Sequence, residues 1–446
     1  MVVLKFGGTS VQDSFAMDQS LTITEFYLDQ APLLISSAMS GVTNDLIALT
    51  QAIESQDTVQ VHEKIQGLES RHQRTLESFC KGNSYQTGKK LLDEVFLEMR
   101  ALAKGSLLLR ECSPRVYDAL VSMGELLSTR ILYARALEKG LSAELLDSRR
   151  LVITDDQFGS ASVNWELTQE RIQAGALPRP GHLLIAQGFM GSTPNGVTTI
   201  LGRGGSDYSA TIYGSCLNAQ EVMIWTDVDG IMTTDPRKVP QARPIPVISY
   251  QEAAEMAYFG AKVVHPATIQ PAVEKGISVW VKNTKNPKHP GTEIRSQAEG
   301  QGLRAISTKK NITMITVTSS RMLNAYGFLF KIFQVFHTQK TPVDLVATSE
   351  VSVSMSIDNT INLKSIKKAL EDFGSVKIEE DCTILCFVGQ DLWKDTQFLS
   401  RLFSCIPQVR IKLISLGSSD INLSLVVAST QADEAVSLVH KEFFPE

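Results

Sequence analysis

The sequence predicts an α/β protein: an open, mostly parallel sheet sandwiched by helices, followed by two smaller α+β modules of βαββαβ order. Three observations predict it. Short apolar runs alternate with helical stretches over residues 1–295. Those runs are continuously apolar rather than alternating, as in a sheet covered on both faces. From Ile312 the texture changes to alternating strands around one short helix, and the same order returns roughly 70 residues later.

In chain order, strands are expected at Val2–Phe6, Leu33–Ser37, Leu183–Ala186, Val222–Thr226 and Ile277–Val281. Between about residue 45 and residue 138, QTGKKLLDEVFLEMRALAKGSLLL and PRVYDALVSMGELLSTRILYARALEKG carry apolar residues at helical spacing, which predicts a helical insertion. KNPKHPGTEIRSQAEGQGL is rich in Pro, Gly and polar residues and reads as a boundary. Beyond it, ITMITVTS, GFLFKIFQVFHTQ and VDLVATSEVSVSMSID read as strand, helix and strands, with the aromatics of GFLFKIF in the core. TILCFVG, QFLSRLFSCI and IKLISLGSSDINLSLVV repeat that order. The expected domains are 1–295, 305–380 and 381–446.

A chain of 446 residues exceeds what one core supports. With 43% hydrophobic and 20% charged residues, it reads as soluble and globular. A net charge of −5 argues against nucleic acid as the main partner, because phosphate backbones reward a basic face. No apolar stretch approaches the length of about 18 residues that a membrane span needs. The N-terminus opens on a strand pattern without a basic n-region, which speaks against a signal peptide. The six cysteines form no C-x-x-C pair and read as buried thiols of a reducing cytoplasm. Cys382 and Cys386 share parity on an expected strand, which favours packing over metal binding.

Four loops are too rich in glycine, serine and charge to be ordinary turns. They are KFGGTS at residues 5–10, SAMSGVTN at 37–44, LGRGGSD at 201–207 and WTDVDG at 225–230, the last running on to Arg237. In an open α/β sheet, ligands bind beyond the carboxyl ends of the strands. A glycine-rich turn entering a helix offers N–H donors at the positive end of a dipole, a ready anion site. Arg203 adds a bidentate donor for carboxylate or phosphate, and Lys5 adds a compact positive charge. Taken singly, each has a plainer reading. Lys5 reads as a strand-end lysine reaching water, Gly7 and Gly8 as a turn, and Glu125 as a solvated helix residue. Asp227, Asp229 and Gly230 do not make a calcium loop, because the glycine comes too early and no glutamate closes the loop. His265 has no partner at ligand spacing, so no metal ligand set is assigned.

The motifs occur together. KFGGTSV, SGVTN, SMGELLSTR, GRGGSDYSA, WTDVDGI-x-TTDPR and EAAEMAYFGAKVVHP stand in the order found in the aspartate kinases, and the chain resembles that family over nearly its whole length. The tail resembles the paired ACT modules these enzymes use for feedback control, and TPVDLVA with TSEVSVSMSID is most similar to the lysine-regulated branch. The resemblance implies ATP-dependent phosphorylation of the L-aspartate side chain, the first step toward lysine, threonine and methionine. It implies ATP and Mg²⁺ as cofactors, a cytoplasmic enzyme, no nucleic-acid or membrane partner, and at least a homodimer through the ACT modules.

Residue by residue, the resemblance implies that Lys5 and Asp207 are catalytic, and that Gly7, Gly8, Thr9 and Ser10 line the phosphate loop. Ser37, Thr43, Glu125 and Arg203 would bind substrate, Glu125 facing the α-ammonium and Arg203 the α-carboxylate. Thr226, Asp227, Met232, Arg237 and Lys262 would bind nucleotide. Met232 departs from the family's usual tyrosine, and methionine is an adaptable packing residue. An effector site is implied at Met322, Gly327, Phe328, Leu329, Val343, Asp344, Ser349 and Glu350. There Asn324 and Ala325 depart from the lysine-type pattern. The alternatives are another carboxylate kinase of this fold, acting on glutamate, acetylglutamate or carbamate, and a non-catalytic amino acid sensor. Glu125 with Arg203 disfavours a substrate lacking a free ammonium, the ACT pair disfavours most of these relatives, and intact Lys5, Asp207 and Lys262 disfavour the sensor.

Overall fold

The computed structural model describes residues 1–260, 264–323, 326–392, 394–417 and 419–445. They form two compact units, Met1–Ile231 with Val263–Ser296, and Met232–Lys262 with Gln297–Glu446.

The strands of the first unit are β1 (Val2–Phe6), β2 (Pro32–Ser36), β3 (Ala143–Leu145), β4 (Leu183–Gln187), β5 (Met190–Ser192), β6 (Thr198–Ile200) and β7 (Glu221–Thr226). The second unit contributes β8 (Val247–Ser249), and β9 (Ser278–Asn283) and β10 (Thr292–Arg295) return to the first. The main sheet of the first unit runs β3-β4-β2-β1-β7-β9-β10. All its neighbours pair in parallel except β10 on β9. β1, β2 and β4 are buried along their whole length, as continuous apolar runs require. Lys5 is the one charged residue in this core strand, opposite Ile35 on one neighbour and Ile224 on the other.

Helices α1 (Ser14–Glu25), α2 (Val42–Glu54), α3 (Thr58–Phe79), α4 (Gly82–Leu109), α5 (Pro114–Val121) and α6 (Met123–Glu138) build the expected helical insertion and its base. Their apolar stripes share one core with the sheet, including Leu4, Phe6, Leu34, Phe96, Leu132 and Trp225. Gly88 lets α4 lie against α6, since a Cβ there would come 2.7 Å from Ala134 Cβ. The unit is completed by α7 (Ser148–Leu151), α8 (Trp165–Gly175), α9 (Gly205–Cys216) and, after α10 (Tyr250–Tyr258) of the second unit, α11 (Pro266–Glu274).

Two expected strands shift. Leu33–Ser37 becomes Pro32–Ser36, with the Ser37 N–H to Phe6 O bond at 3.1 Å as the last rung of its pairing with β1. Ile277–Val281 begins one residue later, because the Ile277 N–H closes α11 on Ala272 O at 2.9 Å. The Pro- and Gly-rich boundary segment also carries β10: Pro290 and Gly291 make the turn, and TEIR then alternates buried and half-buried against β9.

In the second unit, β11 (Gly302–Thr318), α12 (Phe328–Thr338), β12 (Val346–Thr348), β13 (Ser352–Ile357), α13 (Leu363–Glu371) and β14 (Ser375–Gln390) follow the expected βαββαβ order. After them come α14 (Thr396–Cys405), β15 (Ile411–Leu416), β16 (Asn422–Ala428) and α15 (Ser429–Phe443). All six strands form one antiparallel sheet, β12-β13-β11-β14-β16-β15. The second repeat takes its remaining strand from the start of β11, where Gly302–Lys309 pairs with Ile384–Gln390. The end of β11 serves the first repeat, Thr313–Thr318 pairing with β13. A register shift between Lys309 and Ile312, with Asn311 at φ +59°, separates the two uses of the strand. The repeats therefore interleave, an arrangement that linear boundaries do not express.

Each half keeps its own core. Ile306, Leu385, Phe387, Leu402, Leu425 and Val436 pack in one, and Ile315, Val317, Phe328, Ile332, Val353 and Leu370 in the other. The expectation that all aromatics of GFLFKIF are core fails. Phe328, Ile332 and Phe336 face inward at helical spacing, leaving Phe330 at 69% and Phe333 at 37% exposure.

Residues 232–262, counted with the catalytic region on sequence, cluster with this unit for specific reasons. Lys238 pairs with Asp433 at 3.0 Å, Thr233 bonds His440 at 2.9 Å, and the Asn422 amide donates to Glu255 at 2.5 Å. The six cysteines are free, with Cys382 and Cys386 buried on β14. Among the described residues, no helix is long and apolar enough to cross a membrane.

Candidate active site

Because β1, β2 and β7 run in parallel, the loops after them leave the sheet at one end. KFGGTS turns there into a short 3-10 helix, Gly8–Val11, that holds Thr9 half-buried. The Gly7 N–H donates to Trp225 O at 3.1 Å, tying this loop to the end of β7. Gly8 accepts from the Ser40 N–H at 3.1 Å, and a Cβ on Gly8 would meet Ala38 O at 3.0 Å. The glycine thus lets the first two loops lie backbone to backbone.

Lys5, 9% exposed, ends in an ion pair: its Nζ stands 2.6 Å from Asp207 Oδ1. Asp207 sits in the first turn of α9. Gly204, φ +72°, precedes that helix without a side-chain cap; the Gly205 N–H bonds back to Gly202 O at 3.0 Å, and the first-turn N–H groups after it point to where an anion can sit. The turn before it needs glycine: Gly202 has φ +76° and lies against Ser160 and the Gly159 carbonyl, and Gly204 lies against Thr268. Arg203 projects exposed between them.

Glu125 stands in the first turn of α6, 3% exposed. Its Oε1 accepts from the Ala38 N–H at 3.1 Å, and its Oε2 is buried without a hydrogen-bond partner among the described residues. Burial pushes its carboxyl up to about 8, against the opposing pull of the Ala38 N–H, its own backbone N–H and the Lys5 charge. Ser37 is half-buried and its carbonyl accepts from Ser128 Oγ at 2.8 Å, linking the second loop to α6. Thr43 is half-buried in the first turn of α2, which starts at Gly41 with φ +84°. At the end of β7, Thr226 donates to the exposed Asp227 at 3.3 Å.

The structure thus collects Lys5, Gly7, Gly8, Ser37, Glu125 and Asp207 through direct contacts or charge coupling, with Thr9, Thr43, Arg203, Thr226 and Asp227 on the adjoining loops and helix starts. Met232 and Arg237 belong to the second unit. There Met232 bridges to Pro244, and the exposed Arg237 forks onto Asp235 at 3.0 and 2.8 Å. Lys262, Asn324 and Ala325 lie outside the described residues.

Of the expected effector residues, Gly327, φ +73°, opens α12 without a side-chain cap, and Phe328 follows, buried. Leu329 is 40% exposed, while Met322 and Val343 pack on the Phe328 core. Ser349 folds its turn onto Ser352 at 2.7 Å, beside exposed Glu350. Asp344 is already engaged: Lys309 Nζ lies 2.6 Å from it and Tyr258 OH donates to it at 2.9 Å. Lys309 also reaches Asp358 at 2.9 Å and lies over the Tyr258 ring.

Sequence reasoning missed Lys309, Asp118 and Gln187. Nothing in the sequence around Lys309 sets it apart from other lysines. Asp118 is fully buried and grips the loop at Gly159 and the end of β6 at Ile200 by their N–H groups. Gln187 bridges Thr129 of α6 to the Leu146 carbonyl, each at 3.0 Å. Buried polar residues leave no periodic signal, since an acid inside a helix reads as a solvated face until its partners are known.

Among the described residues, no group of three or more His, Cys, Asp or Glu could cage a metal. What the first unit does offer is hard donors and open N–H groups at one sheet end. That set suits a polyphosphate whose own oxygens complete a magnesium shell.

Comparison with known proteins agrees with this geometry. Residues 1–283 match the amino acid kinase family model, and 385–443 match an ACT domain model. The chain is 37% identical to lysine-sensitive aspartokinase 3 of Escherichia coli, covering 100% of this chain and 99% of that protein. Two crystal structures of E. coli aspartokinase III, one with aspartate and ADP and one with lysine and aspartate, each superpose with TM-score 0.83 at 36% identity. They cover all of this chain, and 100% and 99% of theirs. The chain belongs to the amino acid kinase family and, within it, to the aspartokinases.

Proposed function

We propose that the chain transfers the γ-phosphoryl group of ATP to the side-chain carboxylate of L-aspartate, giving 4-phospho-L-aspartate and ADP, under feedback control by lysine. The observation that carries this is the Lys5–Asp207 pair at the end of the central strand, against the uncapped start of α9. The E. coli relative solved with aspartate and ADP supports the choice of substrates.

In this reading a carboxylate oxygen of aspartate attacks the γ-phosphorus, the bond to the β–γ bridging oxygen breaks, and the electron pair leaves on ADP. Such a transfer asks the protein for in-line placement and for charge compensation. Lys5 supplies a positive charge, held in one direction by Asp207. The α9 N–H groups and the loop at Gly7 and Gly8 receive phosphate oxygens. Arg203 clamps the α-carboxylate, Glu125 accepts the α-ammonium, and Ser37 and Thr43 line the pocket between. Thr226 and Asp227 hold the nucleotide. Mg²⁺ would be held by the ATP phosphates with Asp207, and would neutralise phosphate charge there. We also assign the enzyme to the cytoplasm, as a homodimer or larger assembly paired through its ACT modules.

The test is ADP release from full-length protein with Mg-ATP and L-aspartate, the acyl phosphate being trapped as a hydroxamate, with and without lysine. Aspartate-dependent hydroxamate is expected. Turnover on glutamate but not aspartate would name a different carboxylate kinase, and no turnover on any amino acid would leave a sensor.

In the regulatory unit the lysine effector meets a chain residue of its own chemistry. Lys309 already places an ammonium on Asp344 and Asp358. Lys309→Met removes that internal ammonium and leaves the two carboxylates to the effector. Half-inhibition should then come at several-fold lower lysine, since a competing charge-assisted contact is gone. Inhibition curves that coincide with the wild type would refute the competition.

A further inference from the structure

We infer that Asp118 is a positioning residue for the amino acid substrate. It holds the arginine loop in place relative to the helix that carries Glu125. The inference rests on the reading of Arg203 and Glu125 as the two ends of the substrate clamp.

Asp118 lies in α5, fully buried, with no cation recorded beside it among the described residues. Its carboxylate receives two backbone N–H groups from distant segments. The Gly159 N–H reaches Oδ1 at 2.9 Å and Oδ2 at 3.0 Å, and the Ile200 N–H reaches Oδ2 at 3.0 Å. Both lead to the arginine loop. Ile200 ends β6, three residues before Arg203. The Gly159 carbonyl and Ser160 form the surface on which Gly202 rests, close enough that a Cβ on Gly202 would meet Ser160 Oγ at 3.0 Å. The Ala161 N–H returns to Ile200 O at 2.9 Å, so the two segments are also tied to each other.

The other end of the linkage is as direct. α5 ends at Val121, Ser122 turns the chain, and α6 begins at Met123 with Glu125 in its first turn. One carboxylate thus couples the segment bearing the guanidinium to the one bearing the buried acid. Burying a carboxylate is costly unless it is fully hydrogen-bonded, so a site that keeps one here gains directionality that an apolar contact would not give. Displacing either end of the clamp by about 1 Å is enough to cost binding of a small, doubly anchored substrate.

The experiment is steady-state kinetics on full-length Asp118→Ala, Asp118→Asn and Asp118→Glu, with thermal melts as a folding check. Asp118→Ala should raise the KM for aspartate by about tenfold or more, with the KM for ATP within about twofold. Asp118→Asn should fall between alanine and the wild type, because its amide oxygen at the Oδ2 position keeps the Ile200 N–H while its amide nitrogen at the Oδ1 position faces the Gly159 N–H donor to donor. Asp118→Glu keeps the charge but lengthens the arm, so it should raise the aspartate KM as alanine does; it decides the matter if alanine fails to fold. Parallel rises in both KM values, or folded Ala and Glu variants that keep the wild-type KM for aspartate, would overturn the inference. Arg203→Ala separates it from the reading beneath it. If that variant keeps the wild-type KM for aspartate, the clamp itself is wrong, whatever Asp118 does.

Discussion

Lys5→Ala is expected to lower kcat by about three orders of magnitude while leaving the KM for aspartate nearly unchanged. The size follows from what removing one preorganised charge costs in phosphoryl and acyl transfer. The split follows from position: in the proposed mechanism Lys5 meets charge on the moving phosphoryl group, whereas Glu125 and Arg203 hold the amino acid. The lysine is nearly buried and paired at 2.6 Å, so its loss leaves the Asp207 carboxylate without its cation. Truncating one partner of a buried pair destabilises by about 3 kcal/mol. Lys5→Ala/Asp207→Asn should recover much of that stability without recovering turnover, because the orphaned charge is gone and the catalytic charge is still missing. Melting curves and single-turnover rates on both variants check the two halves separately. A folded Lys5→Ala protein with normal turnover would remove the residue from the chemistry.

Glu125→Gln has the second large effect, and it shows both in pH dependence and in affinity. Burial raises the Glu125 carboxyl from 4.5 to about 8 in the ligand-free protein. Between those two values the folded state holds a proton that the unfolded state has released. Folding stability therefore falls as pH rises through the window, and the contribution is fully present only below it. Glu125→Gln is neutral throughout and removes that slope. It should unfold with about 2–4 kcal/mol more stability than the wild type at pH 8, and alike at pH 4.

Aspartate binding runs the other way. An ammonium arriving at Glu125 needs the ionised carboxylate, so the wild-type KM for aspartate should fall as pH rises toward 8. In Glu125→Gln that dependence should vanish and the KM should rise by about a hundredfold, the cost of losing one partner of a buried charge pair. Thermal melts from pH 4 to pH 8, and aspartate titrations over pH 6 to pH 8, read the two effects independently. A pH-independent wild-type KM would show that Glu125 does not meet the ammonium.

Much of this was legible in the residue string, for physical reasons that can be traced. Parallel strands buried on both faces must be continuously apolar, so VVLKF, PLLIS and LLIAQ stand out within one or two residues of their ends. Loops that approach a ligand by their backbone need glycine, so KFGGTS and LGRGGSD are visible without any neighbour. β3, β5, β6 and β10 were not legible. Each is only three or four residues long, too short for a period to emerge, and each exists because a partner strand is present.

The regulatory region divides in the same way. The alternation of β11 and β13 and the helical period of α12 follow from local sequence. That β11 serves two repeats does not, because it pairs with β14 on one edge and with β13 on the other, and both strands lie far along the chain. Nor could the sequence say that Asp344 is occupied by Lys309, 35 residues earlier in the chain.

The sequence by itself determined the order of strands and helices, the glycine turns, and the identity of the charged groups at the sheet's end. These depend on periodicity, backbone freedom and side-chain chemistry, which each residue carries with it. Only the tertiary structure decided which charges are buried, what they face and which loops they tie together. It pairs Lys5 with Asp207, leaves Glu125 desolvated, and closes Asp118 on Gly159 and Ile200. A charge's energy depends on its solvent and its partners, and long-range packing supplies both.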